Sequence, residues 1–230
     1  MSAPASSRAT GSERPEGRPG AVLFDVGPQG RPKAVLFDVG NVIVRWSPRT
    51  LYSKLIDDPA ELDRFLAEVC PMEWHARTDV GWTFGDNIAD RVSVYPEHEA
   101  LIRAWWDRWP EMFSGAIPET EAVIEELYAR GVPMHGLTNM SIQAWPMVQA
   151  MSPAFARLDV VVVSAEERVM KPDPAIFALV CERTALAPAD MLFIDDSRPN
   201  IETAAHLGFH VHHFTDPAAL RPQLAALGLL

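Results

Sequence analysis

The chain has 230 residues, 48% of them apolar, which is enough for one full core plus a smaller inserted unit. Its formal charge of −11 argues against a nucleic-acid or anionic-membrane surface, yet allows a phosphorylated ligand in a locally positive pocket. Cys70 and Cys181 form no spaced motif, and neither a membrane-length apolar run nor a secretory leader is legible, so a reduced, cytoplasmic protein without disulfides or a cysteine zinc site is expected.

Residues 1–32 are rich in Pro, Gly, Ser and Arg and are expected to form a disordered N-terminal extension, because such a composition cannot offset its ordering entropy. Up to Lys33 the chain carries five basic and three acidic residues, a net of +2 that leaves −13 on the remainder. Inside this stretch Ala21-Val22-Leu23-Phe24-Asp25-Val26-Gly27 recurs word for word as residues 34–40. The second copy continues into Asn41-Val42-Ile43-Val44, whereas the first runs into Pro28-Gln29-Gly30 and Arg31-Pro32, poor continuations of a buried strand. The second copy is therefore read as the first strand, and Asp25 as an idle duplicate of Asp38.

From Ala34 onward, short apolar runs alternate with amphipathic stretches. The runs are 34–39, 132–137, 160–163, 191–194 and 209–212, several of them β-rich and bounded by Gly, Pro or Asp. Helices are expected over 119–130, 174–184, 200–207 and 217–227, two of them closed by Gly131 and Gly208. This alternation predicts an α/β, Rossmann-like, doubly wound parallel sheet. Residues 48–113 break the rhythm. They show no convincing strand and hold five of the seven tryptophans, with helices expected over 59–69 and 96–109. The reading is a helical cap (48–113) inserted after the first strand of a core made of 33–47 and 114–230. Such a cap would cover the carboxyl edge of the sheet, where open α/β folds bind ligands. The tryptophans fit a cap interior better than a stacking platform.

Four segments carry groups suited to phosphoryl transfer, each at the end of an expected strand. Asp38 offers a nucleophilic carboxylate. Thr138-Asn139, before a helix expected near Ser141, offers a hydroxyl and an amide to phosphate oxygens. Lys171, before Pro172-Asp173-Pro174, offers a fixed cation. Asp195-Asp196 set two like charges together at a buried strand end, a costly arrangement that a magnesium ion relieves.

These segments, Phe37-Asp38-Val39-Gly40-Asn41-Val42, Leu137-Thr138-Asn139, Lys171-Pro172 and Ile194-Asp195-Asp196-Ser197 with Asn200 beyond, resemble the four motifs of the haloacid dehalogenase (HAD) superfamily. The resemblance extends from Lys33 to the C-terminus. It implies attack by Asp38 on phosphorus and hydrolysis of the resulting aspartyl-phosphate by water. It also implies Mg²⁺ on Asp38, the Gly40 carbonyl and Asp195 and/or Asp196, with Thr138, Asn139 and Lys171 on the phosphoryl group. The Asp-x-Gly-Asn-Val wording is similar to that of the superfamily's sugar-phosphate phosphatases, such as α-D-glucose-1-phosphate phosphatase, and Asn41 is counted with the substrate-binding residues. The expected partner is a small phosphate ester, bound without nucleic acid or membrane by a monomer or homodimer.

One departure stands out. Most phosphatases of the superfamily carry a second aspartate two residues after the nucleophile, and Gly40 occupies that position here. General acid–base catalysis contributes about 10²–10⁴-fold, so a replacement is expected from His75 or Asp79 in the cap, or from a metal-bound water. Trp74-His75-Ala76-Arg77 is a candidate substrate-reading loop, with His75 and Arg77 as its polar members. Arg45-Trp46 is a candidate hinge. Two rival readings remain: a 2-haloacid dehalogenase, in which Asp38 attacks carbon and Gly40 would be a tyrosine, and a non-catalytic phosphate-binding protein. His210, His212 and His213 look like a metal cluster but lack carboxylates at matching spacing.

Overall fold

The computed structural model describes Met1 and residues 30–230. The duplicate segment 21–27 and most of the expected extension lie outside the described residues. Seven strands follow in chain order: β1 (Ala34–Phe37), β2 (Val44–Trp46), β3 (Phe113–Ala116), β4 (Met134–Thr138), β5 (Val160–Val163), β6 (Met191–Asp195) and β7 (His210–His213). Five of them form one parallel sheet in the order β5-β4-β1-β6-β7. β1, β4 and β6 are buried along their whole length, because helices cover both faces; that is why these runs are continuously apolar rather than alternating.

Alternate side chains feed two apolar layers. Ala34, Leu36, Met191 and Phe193 pack with Ile176, Phe177 and Val180 of the helix Pro174–Thr184 and with Ile201 and Ala204 of Arg198–His206. Val35, Phe37, Leu192 and Ile194 face the helices Pro118–Ala129, Trp145–Gln149 and Pro217–Ala226. The chain leaves β1 toward β4 and β5, then crosses back to β6 and β7. The carboxyl ends of β1, β4 and β6 therefore converge at a topological switch point, the usual ligand crevice of open α/β sheets.

Several local details differ from the sequence-based expectation. No helix begins at Ser141. Its carbonyl accepts the N–H groups of Ala144 and Trp145 in a turn, and the helix runs Trp145–Gln149, with Pro146 favouring its first turn. The helix expected from Asn200 starts at Arg198, where Ser197 takes the extended N-cap conformation and a proline again occupies the first turn. In the insertion, the stretch 59–69 divides into an α-helix Pro59–Arg64 and a π-helical turn Phe65–Val69. The stretch 96–109 divides into a tight turn Pro96–His98 and a helix Glu99–Asp107, which ends at Arg108 (φ −122°, ψ 22°) and gives way to a 3₁₀ turn Trp109–Met112 with Pro110 in its first turn.

The helical insertion enters and leaves through an antiparallel ribbon that the sequence did not suggest. β2 pairs with β3 in the register Val44↔Ala116 and Arg45↔Gly115, with an irregularity between Arg45 and Trp46. Inside the insertion Trp74, Trp105, Trp109, Tyr52, Phe65 and Phe84 are buried, and Trp74 meets Trp105 edge to face at 5.1 Å. Among the described residues no helix is long and apolar enough to cross a membrane.

Packing at the sheet centre is tight at Gly136 in β4. A Cβ there would lie 3.1 Å from Val161 Cγ1 and 3.3 Å from Leu158 Cδ1. Gly136→Val is expected to cost about 1–3 kcal/mol by overpacking, read as a lowered urea midpoint; an unchanged midpoint would mean that β5 yields freely.

Candidate active site

Asp38 follows β1 directly. Its N–H donates to the Ile194 carbonyl at 2.9 Å, which extends the β1–β6 ladder and fixes the backbone of the nucleophile candidate. Its Oδ1 accepts a hydrogen bond from Lys171 Nζ at 2.7 Å. The same ammonium donates to Asp195 Oδ2 at 2.7 Å and to the Leu137 carbonyl at 2.9 Å, so its three N–H groups are all occupied. Lys171 is 2% exposed. Burial works against its charge, but Asp195 and Asp38 outweigh burial and its pKa is raised.

Asn139 holds this lysine from behind. Its Nδ2 donates to the Lys171 carbonyl and its Oδ1 accepts the Lys171 N–H, both at 2.9 Å. The amide of Asn139 is thus spent on the backbone of Lys171. Thr138, 1% exposed at the end of β4, lines the same cavity as Asp38 and Lys171.

Asp195 is fully buried, and four hydrogen bonds meet its oxygens. Ser197 N–H (2.7 Å) and Asn200 Nδ2 (3.1 Å) donate to Oδ1, and Lys171 and Asn200 (3.0 Å) donate to Oδ2. Asp196 is the exposed member of the pair. Partial burial raises its pKa, with the Asp195 charge adding to the effect and an Asn41 side-chain hydrogen bond opposing it. Asn41 sits at φ 55°, a left-handed conformation asparagine tolerates well, and its Oδ1 also accepts the Trp46 N–H at 3.0 Å.

Ligand atoms of Asp38, Asp195 and Asp196 lie within 4.8 Å of one another. Ionised together, three carboxylates beside one ammonium leave two negative charges. Asp38 registers the strain: its pKa is pushed up to about 7, first by burial and then by Asp195 and Asp196 against the pull of Lys171. An oxygen-only set with this charge excess suits a hard divalent cation such as Mg²⁺. Gly40 lies beside it on the cavity wall, and a Cβ added there would meet nothing within 4 Å.

The cavity has a volume of about 440 Å³. The insertion contributes His75, Asp79, Met72 and Trp109 to its walls, and the ribbon contributes Trp46 and Phe113. His75 is stacked on Trp46 at 5.4 Å and on Phe84 at 6.1 Å, and burial pushes its pKa down to about 4, which leaves a neutral imidazole at neutral pH. Arg77 is not among the lining residues. Its Nη1 pairs with Asp90 at 2.6 Å and its guanidinium lies 5.2 Å from the Trp82 ring centroid, on the outer side of the turn. The structure therefore brings Asp38, Gly40, Asn41, His75, Thr138, Asn139, Lys171 and Asp196 to one cavity, with Asp195 behind it and Arg77 outside.

Three contributors are not among the candidate site residues of the sequence, although Asn200 stands beyond the fourth motif and Trp46 in a candidate hinge. Asn200 bridges both oxygens of Asp195. Ser164, at the end of β5, donates from Oγ to the Asp79 carbonyl at 2.6 Å and accepts the Met140 N–H at 3.0 Å. Trp46 forms part of the aromatic wall. The histidines of the edge strand β7 make no metal cluster: among the described residues the grouping is Asp38, Asp195 and Asp196 alone, and His213 Nε2 lies 3.0 Å from the Asp196 carbonyl.

Asp79 is 7% exposed, and burial pushes its pKa up to about 7, against the opposing charge of Lys171. The folded state therefore holds a proton that the unfolded state releases near pH 3.8, so this group lowers stability as pH rises from about 4 to 7. Asp79→Asn removes the titration. Its stability relative to the parent chain should rise between pH 4 and pH 8, by at most ~4 kcal/mol; a pH-independent difference in chemical denaturation would contradict the raised pKa.

Comparison with known proteins agrees with this geometry. Residues 32–208 match the family model of haloacid dehalogenase-like hydrolases. A 71-residue stretch is 41% identical to mouse acyl-CoA dehydrogenase family member 10, covering 31% of this chain and 7% of that protein. A 131-residue stretch is 30% identical to Escherichia coli phosphoglycolate phosphatase, covering 55% of this chain and 52% of the relative, so the match spans about half of that enzyme. Among solved structures, a magnesium complex of a HAD family enzyme from Bacteroides thetaiotaomicron superposes with a TM-score of 0.65 at 19% identity, covering 83% of this chain and 98% of that one. The L-2-haloacid dehalogenase of Xanthobacter autotrophicus gives 0.58 at 17% identity, covering 85% and 83%. At such identities the superpositions speak for the fold alone. With the family model spanning most of the sequence and the carboxylate–lysine cluster at the sheet edge, the chain belongs to the haloacid dehalogenase-like hydrolases.

Proposed function

We propose that this hydrolase is a Mg²⁺-dependent phosphatase of a small phosphorylated metabolite, with 33–47 and 114–230 as its chemical platform and 48–113 as its cap. The observation that carries the reading is the charge excess of Asp38, Asp195 and Asp196 over Lys171. A phosphatase uses that excess to hold a divalent cation. A dehalogenase, in which a carboxylate attacks carbon without a metal, would have no use for it.

In this reading Asp38 attacks phosphorus, the ester P–O bond breaks, and water then cleaves the aspartyl-phosphate to release phosphate and restore the carboxylate. Lys171 holds one Asp38 oxygen at 2.7 Å, which leaves the other for attack. Thr138 and neighbouring backbone N–H groups receive phosphate oxygens, while Asn139 keeps Lys171 in register. Asp38, the Gly40 carbonyl and Asp196 would hold Mg²⁺ directly, with Asp195 braced behind them. When bound, the ion neutralises charge on the transferring phosphoryl group.

The walls bear on the substrate class. Lys171 is the one lysine or arginine among the described lining residues, and its N–H groups are already committed. A leaving group bearing its own carboxylate would find no cation there. A neutral polyhydroxylated one would find the rings of Trp46 and Trp109. This favours a sugar phosphate over phosphoglycolate, the substrate in the name of the E. coli relative.

The first test is p-nitrophenyl phosphate with Mg²⁺ or with EDTA, beside Asp38→Asn. The expected outcome is metal-dependent p-nitrophenol release, lowered by several orders of magnitude in the variant. Halide release from 2-chloropropionate without metal, or no turnover by a folded, Mg²⁺-loaded chain, would point instead to the dehalogenase or to a non-catalytic binder. On natural esters, kcat/KM for glucose 1-phosphate should exceed that for phosphoglycolate; the reverse order would refute the reading of the walls.

A further inference from the structure

A hydrolase whose Gly40 leaves open the place of the usual acid still has to protonate a departing alkoxide. Of the groups around the cavity, Asp79 satisfies three separate conditions. It lines the same cavity as Asp38, Thr138 and Lys171, from the opposite, cap side. Its Oδ1 is buried with no hydrogen-bond partner, and the nearest basic atom, His75 Nε2, lies 4.0 Å away, beyond hydrogen-bonding reach. Its position is fixed to the phosphate-binding rim: the Asp79 carbonyl accepts from Ser164 Oγ, which in turn accepts the N–H of Met140, two residues after Thr138.

We propose that Asp79 is the general acid and base of this enzyme, delivered from the cap in place of the side chain missing at Gly40. The proposal rests on the phosphatase reading. In the first step Asp38 attacks phosphorus, the P–O bond to the leaving group breaks, and the Asp79 carboxyl proton passes to the departing oxygen. In the second step water attacks phosphorus and gives its proton to the Asp79 carboxylate. The P–O bond to Asp38 breaks, and both carboxyl groups return to their starting states. Burial raises the Asp79 pKa to about 7, so both its acid and its base form are populated near neutral pH. His75 is a poorer acid: its imidazole is neutral, and stacking among Trp46, Trp109 and Phe84 holds it in place.

The experiment is a series of aryl phosphates of similar shape, from p-nitrophenyl to phenyl to p-methoxyphenyl, with the full chain and saturating Mg²⁺. kcat/KM reports only the first step. For the parent enzyme it should depend weakly on leaving-group pKa, because the proton is supplied. For Asp79→Asn it should stay within about threefold on p-nitrophenyl phosphate, whose phenolate departs unaided, and fall about 10²-fold on p-methoxyphenyl phosphate. A burst of p-nitrophenol followed by slow turnover should mark the impaired second step. An equal loss across the series would make Asp79 a structural support, and no loss would make it a bystander; either overturns the proposal. Should the variant fail to fold, the parent slope decides, since a steep one means that no acid acts. If the parent chain hydrolyses none of the esters, the phosphatase reading itself fails, an outcome distinct from a steep slope on active enzyme.

Discussion

The Lys171 ammonium, shared between Asp38, Asp195 and the Leu137 carbonyl, is the contact on which the arrangement of the site depends. It ties the ends of three neighbouring parallel strands to one buried point. A buried cation is costly to desolvate, and two buried carboxylates would be costlier still without it. Removing one partner of such a cluster typically costs about 3–5 kcal/mol, because the survivor is left uncompensated. The surrounding hydrogen bonds follow from that requirement. Asn139 fixes the lysine backbone, Asn200 and the Ser197 N–H fix Asp195, and the β1–β6 ladder fixes Asp38. The cluster is stiff, yet with Asp196 beside it carries two more negative charges than positive ones. Its geometry can persist without a ligand while its electrostatics favour one.

The parts of this site that were legible in the sequence are those written at strand ends. A continuous apolar run terminated by Asp38, Thr138 or Asp195 marks both a buried parallel strand and the rim where its last residue emerges. Contacts that join distant segments were not legible in this way. Asn139 reads as a phosphate ligand because it sits beside Thr138, and its hydrogen bonds to the Lys171 backbone, 32 residues downstream, cross a connection that no local pattern encodes. Ser164 is a lone serine after an apolar run, and only the folded chain shows it touching Asp79, 85 residues earlier. The β2–β3 ribbon escaped because Val44–Trp46 and Phe113–Ala116 are short and only partly buried, so neither carries the continuous apolar run that marks the sheet strands. The separation of Arg77 from His75 was readable in principle: His75 and Asp79, four apart, share a face, and Arg77 between them turns outward.

The aromatic residues of the insertion do two jobs at once. Trp105 and Trp74 close its interior, while Trp109 is both 1% exposed and part of the cavity wall. The same packing excludes water around His75 and Asp79 and so shifts both away from their ordinary charge states. Burial of this kind lowers stability, a pattern that clusters at functional sites more often than at structural ones. Here the shifted His75 and Asp79 sit on the insertion and the shifted Asp38 sits at the sheet edge, and all three line one cavity.

Asn41 has a consequence that reaches beyond its own contacts. Its side-chain amide accepts the N–H of Trp46, the last residue of the insertion's entry strand, and lies beside Asp196, the exposed member of the carboxylate group. A displacement of the ribbon would therefore be felt at the turn that faces Asp196. Thermodynamic reciprocity would then apply: whatever factor the insertion's position contributed to cation affinity, the cation would contribute to the equilibrium of the insertion. A molecule held by the insertion's side of the cavity and an ion held by the carboxylates would then act as heterotropic ligands of each other, with the Asn41 turn and its Gly40–Val44 bridge to the ribbon as the shared element.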